Sequence, residues 1–280
     1  MRIHLMCLSR PIIASALFAV VLLPSAATVS VNGADPIPIA HRGMLRHAPE
    51  NTLPAFAVCL ELGMGFELDI RTTKDGHLVV LHDDNVKRTT DGPSRSVRDI
   101  TLAELQQLDA GTWFGPSFEG LRVPTLEETL SLVKERKRGT TIVALNVKQL
   151  NRDGEAKLVA LVEKYELLEE SFAFDQNSEM SHRLKALNQK FRIGQNVNRK
   201  SIQPRVDEDF LDVFLLTGTP TVEEVALLND RGKQALFNFA GDGNGRRNPS
   251  VWKQVQAAGI DGILTDYPLE CRRAWRDSVD

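Results

Sequence analysis

The 280-residue sequence is short of cysteine, of positive charge and of long apolar runs, and each shortage removes a class of protein. Of its three cysteines, Cys7 precedes the first apolar run with no small residue ahead of it, which argues against a lipid anchor. Lys and Arg number 34 against 37 Asp and Glu, a balance that argues against a nucleic-acid partner. The apolar run at 11–23 is too short to span a bilayer comfortably. No Pro/Ser-rich linker, internal repeat or low-complexity stretch divides the chain, so one domain is expected.

What is present begins with an export signal at 1–34. Arg2 and Arg10 give a sparse basic start, 11–23 is almost wholly apolar, and Ser25-Ala26-Ala27 offers small residues for cleavage. A second cut is placed after Ala34, so the mature chain starts at 28 or 35 and is expected in the periplasm or outside the cell, without stable membrane insertion. The alternative is an uncleaved N-terminal anchor. Export leaves Cys59 and Cys271, and makes a disulfide between them permissible without requiring it.

The rest, 35–280, alternates short apolar runs with helical-period segments, the pattern of a parallel α/β fold. Eight strands are read at 37–40, 66–70, 141–147, 171–174, 191–194, 212–216, 234–239 and 262–265. Helices are read at 54–62, 102–108, 126–136, 155–165, 179–188, 222–231 and 250–258. A ninth run at 78–81 follows the second strand after Thr73-Lys74-Asp75-Gly76, too soon for a parallel crossover, so it returns as a hairpin arm carrying His82 back to the rim. The length suits a single (β/α)8 barrel, typically about 250 residues.

Polar residues gather where strands end, the place where barrel enzymes keep their active sites. His41-Arg42-Gly43 follows the first strand. Glu67 and Asp69, two apart on the second, point to one side of the sheet, as do Asn146 and Lys148 on the third. Two carboxylates held inside a barrel need a cation to offset their repulsion and desolvation. Of six histidines, His4 leaves with the signal and His47, His77 and His182 lie in polar surface contexts. His41 and His82 each end an apolar run, which fits acid/base work.

In order along the chain, His41-Arg42-Gly43, Pro49-Glu50-Asn51-Thr52, Glu67-Leu68-Asp69, Thr73-Lys74-Asp75-Gly76, His82-Asp83 and Arg88-Thr89-Thr90-Asp91-Gly92 resemble the glycerophosphodiester phosphodiesterase family. Leu108-Asp109-Ala110-Gly111-Thr112-Trp113-Phe114, Val123-Pro124-Thr125-Leu126-Glu127-Glu128 and the segment from Gly259 to Pro268 extend the match. The resemblance implies a (β/α)8 barrel acting on a glycerophosphodiester with a divalent cation, Ca2+ or Mg2+. It implies Glu67, Asp69 and Asn146 as metal ligands, His41 and His82 as the acid/base pair, Arg42 and Lys148 on the phosphoryl oxygens, and Glu50 beside the metal site. Thr52 or Asn51 has a second reading, as the cap of the following helix with Pro54 in its first turn.

The sequence departs from the family at two places. Asn146-Val147-Lys148 stands where a Glu-x-Lys pattern is expected, and a neutral amide should hold a hard cation less tightly. Phe237-Asn238-Phe239-Ala240 replaces a Trp-Thr-Val-Asn pattern, and the glycine-rich 241–245 that follows reads as a rim loop rather than a dinucleotide or calcium loop. Two alternatives to an active phosphodiesterase stay open: a catalytically weakened barrel acting as a binding protein, and a related phospholipase or lyase acting on a lipid headgroup.

Overall fold

The computed structural model describes residues 35–241 and 245–277. The expected export signal at 1–34 and most of the expected rim loop at 241–245 lie outside them. The chain runs β1 (Ile37–Ala40), α1 (Leu53–Glu61), β2 (Gly65–Thr72), β3 (Leu78–Val80), α2 (Leu102–Leu105), α3 (Leu126–Arg136), β4 (Val143–Val147) and α4 (Arg152–Lys164). It continues β5 (Ser171–Phe174), α5 (Ser178–Leu187), β6 (Gly194–Asn198), α6 (Ile202–Arg205), β7 (Val213–Thr217), α7 (Val222–Asp230), β8 (Gln234–Phe239), α8 (Pro249–Ala257), β9 (Gly262–Thr265) and α9 (Pro268–Arg276).

Eight strands pair in parallel in the order β5-β4-β2-β1-β9-β8-β7-β6, and a parallel bridge from Ala173 to Ile193 joins the two ends into a (β/α)8 barrel. As expected, β3 lies off this ring and pairs antiparallel with β2, Ile70 opposite Val80.

The barrel encloses an apolar plug of Ile39, Ile142, Ala144, Phe172, Phe174, Val213, Leu215, Leu236 and Leu264. The outward faces of the strands pack on the helices in two further clusters, and a fourth, around Val86, Val97, Ile100 and Leu105, supports the excursion between β3 and α3. Strand β2 shows the sorting most clearly. Its first six residues are all buried, yet Phe66, Leu68 and Ile70 join the helix-facing core while Glu67 and Asp69 take the opposite parity, into the lumen. Above the apolar plug, the lumen at the C-terminal ends of the strands is therefore polar.

Strand β6 corrects the sequence reading. The apolar residues Phe191 and Ile193 are buried at the approach, and the strand itself is Gly194-Gln195-Asn196-Val197-Asn198. Its inward positions face the open mouth, so it lacks the apolar signature by which a buried strand is recognised. Helix α2 stops at Leu105, three residues before the expected end at 108. Thr52 does occupy the N-cap of α1, but its hydroxyl donates back to the Pro49 carbonyl at 2.6 Å and caps nothing.

Helices α1 and α9 are neighbours, with Arg272 donating to the Leu62 carbonyl at 2.5 Å. Cys59 and Cys271 are nevertheless free thiols, each sealed in its own apolar cluster. Burial pushes the Cys59 thiol up to about 12, so it stays protonated and inert. Among the described residues no helix is long and apolar enough to cross a membrane.

Gly43 packs the β1–α1 turn against α1. It sits at φ +77°, and a Cβ there would come within 2.8 Å of the Ala55 Cβ. Gly43→Val is expected to destabilise the fold by about 2–4 kcal/mol from left-handed strain plus overpacking, read by urea unfolding. An unchanged midpoint would show that the turn relaxes freely.

Candidate active site

The mouth of the barrel is built on two short turns and one strand. His41 and Arg42 leave β1, where the His41 N–H donates to the Thr265 carbonyl of β9 at 3.2 Å. Arg42 and Asn51 both adopt left-handed backbone, φ +53° and +57°, and are tied together by Asn51 N–H to Arg42 carbonyl at 3.0 Å. This strained turn aims two groups at β2: the Arg42 N–H reaches Glu67 Oε2 at 2.9 Å, and the Asn51 amide donates to Asp69 Oδ2 at 2.8 Å. Asn51 thus orients a carboxylate, and its capping role in the sequence reading is not realised.

Asp69 lies beside Asn146 in the β2–β4 register. Lys148 Nζ stands 3.4 Å from Asp69 Oδ1 and 3.5 Å from Asp175, and Arg42 Nε is 3.7 Å from Asp69 Oδ2. Glu67 and Asp69 are fully buried. Burial first, and then the charge of Asp69, push the Glu67 carboxyl up to about 7, an ascent that His41, the Arg42 N–H and the Asn146 amide only partly offset.

Each histidine rests on an aspartate. His41 Nδ1 is 2.7 Å from Asp266 Oδ1, and its Nε2 lies 4.0 Å from Glu67 Oε2. Burial opposes the charged imidazole, but the Asp266 hydrogen bond and the charges of Glu67 and Asp266 outweigh it and raise the His41 pKa. Asp266 is also desolvated, yet the same bond and the charge of His41 hold it below the usual carboxylate range. His82 Nδ1 is 2.8 Å from Asp83 Oδ1, and its carbonyl accepts from Arg71 at 3.0 and 2.6 Å. With Nδ1–H given to the carboxylate, both rings keep Nε2 for chemistry.

An ion-pair chain joins the two histidine regions. Arg88 grips Asp83 at 2.6 and 2.9 Å and Glu50 at 2.8 and 2.9 Å, and Glu50 accepts from Arg42 at 3.0 Å. Arg88 is the main reason Asp83 stays well below the normal range. Glu50 is lowered too, because Arg88 and Arg42 overcome its burial. His47, His77 and His182 are exposed, as expected.

All eight residues singled out in the sequence lie at this end of the barrel, and five further ones share the site. Asp266, Asp83, Arg88, Arg71 and Asn51 carry no catalytic role in the sequence reading. Asp266 does carry the same signal as His41, a polar residue closing an apolar strand.

Three buried oxygens at the mouth, Glu67 Oε1, Asp69 Oδ1 and Asn146 Oδ1, accept no hydrogen bond. Buried acceptors without donors are costly, and hard oxygens converging on one lumen are what a Ca2+ or Mg2+ ion requires. The residues therefore fit a divalent cation. Among the described residues no three His, Cys, Asp or Glu side chains gather as a ligand set, and the third oxygen here belongs to an amide.

Comparison with known proteins agrees with this geometry. A glycerophosphodiester phosphodiesterase from Caldanaerobacter subterraneus subsp. tengcongensis is 35% identical over 239 residues, covering 82% of this chain and 93% of the relative. The solved structure of a glycerophosphodiester phosphodiesterase from Agrobacterium tumefaciens superposes with a TM-score of 0.70 at 26% identity, covering 85% of this chain and 99% of the other. An Oleispira antarctica phosphodiesterase solved in complex with the product sn-glycerol-3-phosphate gives a TM-score of 0.67 at 26% identity, covering 86% and 96%. Residues 41–270 match the profile of the glycerophosphoryl diester phosphodiesterase family, and the chain belongs to that family.

Proposed function

We propose that this protein hydrolyses glycerophosphodiesters to glycerol phosphate and a free alcohol, with His41 and His82 as the acid/base pair. The observation that carries the reading is the presence in one lumen of three buried oxygens that accept no hydrogen bond, beside an aspartate-held histidine. Glu67, Asp69 and Asn146 would hold a Ca2+ or Mg2+ ion, which when bound neutralises charge on the phosphoryl oxygens.

The chain's own residues divide the remaining work. Arg42 and Lys148 flank Asp69 and bind the non-bridging oxygens. Glu50 holds the Arg42 guanidinium in place. One histidine Nε2 takes the proton of the neighbouring glycerol hydroxyl as its oxygen attacks phosphorus, and the other gives a proton to the departing alcohol oxygen. The resulting cyclic phosphate is opened by water with the two roles exchanged. Asp266 and Asp83 fix the ring tautomers throughout.

Export to the periplasm or the extracellular space belongs to the same proposal. It rests on the apolar run at 11–23 and the small residues at 25–27, and sequencing the N-terminus of the secreted protein tests it.

The decisive assay offers glycerophosphocholine, glycerophosphoethanolamine and a lysophospholipid, with and without chelator. Glycerol phosphate should appear from the first two alone, stop with chelator and return with Ca2+ or Mg2+. Turnover of the lysophospholipid instead would select headgroup chemistry, binding without turnover would select the weakened barrel, and full activity in chelator would remove the cation.

Asp266 acts through His41, and its substitution should show that. Asp266→Asn keeps the volume but loses the negative charge and brings an NH2 that can face Nδ1 and select the wrong tautomer, so kcat is expected to fall about a hundredfold or more while KM moves little. A loss confined to KM would mean that Asp266 serves substrate binding instead.

A further inference from the structure

In the ring order β7 stands across the barrel from β2, and the wall it forms with β6 and β8 is furnished unlike the carboxylate side. Val213, Leu215 and Leu236 on this wall face the interior. Gly194 faces it too, since a Cβ there would strike the Phe172 ring at 2.6 Å. Counting by twos toward the rim places Asn196 and Asn198 of β6, Thr217 of β7, Asn238 of β8 and Ala240 just beyond it on the same inner face. Phe237 and Phe239 take the other parity and stack on each other at 5.2 Å.

Asn238 Nδ2 donates to Asn196 Oδ1 at 2.7 Å. That bond spans β7, between strands that are not neighbours, so both amides lie over its inner face. Asn196 is exposed and Asn238 half-buried, as expected where a lumen opens to solvent. Asn238 pairs in register with Leu264, two residues before Asp266, and just beyond β8 the Gly241 N–H lies 3.4 Å from Asp266 Oδ1. The amide pair therefore adjoins the His41 end of the site.

We propose that Asn196 and Asn238 bind the departing alcohol through its hydroxyls, so that the preferred substrates are glycerophosphodiesters of a polyol. This rests on the phosphodiesterase reading above and adds the class of leaving group. Beyond their mutual bond and the Ala240 N–H that Asn238 Oδ1 accepts at 3.4 Å, the pair keeps the Asn196 NH2, the second Asn238 N–H and a spare lone pair on each oxygen, donors and acceptors side by side that match vicinal hydroxyls. Among the described residues the Asn196 NH2 donates to no protein group, which leaves it for a ligand. Choline carries no N–H and is recognised by aromatic faces, and ethanolamine's ammonium calls for a carboxylate. None of the five inner-face positions is aromatic or acidic.

The test compares kcat/KM on glycerophosphoinositol, glycerophosphoglycerol and glycerophosphocholine for the parent protein, Asn196→Ala and Asn238→Ala, with thermal melts of each. The parent should favour the polyol diesters by about tenfold or more, and each substitution should shrink that ratio to within about threefold through the polyol KM. Equal kcat/KM on all three in the parent overturns the polyol assignment and leaves the phosphodiesterase reading standing. An unchanged ratio in both folded variants overturns the role of the amides. No cleavage of any of the three overturns both readings together.

Discussion

His41→Ala is expected to lower turnover by about 10² to 10⁴, the usual contribution of a positioned general acid or base, and His82→Ala should do the same. The geometry explains why the loss should fall on chemistry and not on folding. The His41 ring sits at the mouth, above the apolar plug, and its removal opens no cavity in the four core clusters. Asp266 would lose its imidazole partner but keeps the Gly241 N–H at 3.4 Å and some contact with solvent. The His82 ring is about a third exposed, and Asp83 remains gripped by Arg88 when the ring is gone. Thermal midpoints should therefore stay within a few degrees of the parent while kcat collapses. Near-normal kcat in either variant would remove that histidine from the mechanism. A parallel collapse of the midpoint would move the residue from chemistry to structure.

How far the sequence discloses such a site depends on the range of the interaction. The barrel is legible because each strand of the ring but one carries a run of apolar residues, where β6 has Val197 alone. β1, β5, β8 and β9 lie where their apolar runs lie. Strand β6 escapes because its inner face is a buried glycine followed by two asparagines in a wet mouth, and periodicity alone cannot separate Gln195-Asn196-Val197-Asn198 from a loop. The carboxylates are legible for a local reason, since Glu67 and Asp69 are two apart on one strand.

The second layer of the site is not local, and this is why residue spacing hides it. The His41–Asp266 contact joins positions 225 residues apart, made neighbours only when β9 closes onto β1. The Arg88–Glu50 clamp joins positions 38 apart across two turns. Asn51 looks like a helix cap because caps and carboxylate-orienting amides draw on the same residue types. Only the left-handed turn that points it at Asp69 tells the two apart.

Asn146 is where the local and non-local arguments meet. Its Oδ1 is buried without a partner beside Asp69 and close to Glu67, the place where a third ligand to a cation belongs. An amide oxygen can coordinate but adds no charge, so Asn146→Glu should bind Ca2+ or Mg2+ at least about tenfold more tightly, as an added unit charge near the ion predicts. The same substitution should lower stability in chelator, because a third carboxylate would join two buried ones, where burial first and then the charge of Asp69 already push Glu67 up to about 7. The variant is thus expected to melt below the parent in chelator and to gain more from added cation than the parent does. Calorimetric titration gives the affinity and thermal melts give the stability, so neither readout depends on turnover. If Asn146 instead faces substrate, the new charge finds no counter-ion: cation affinity stays where it was, the melting loss persists with cation present, and position 146 is no ligand.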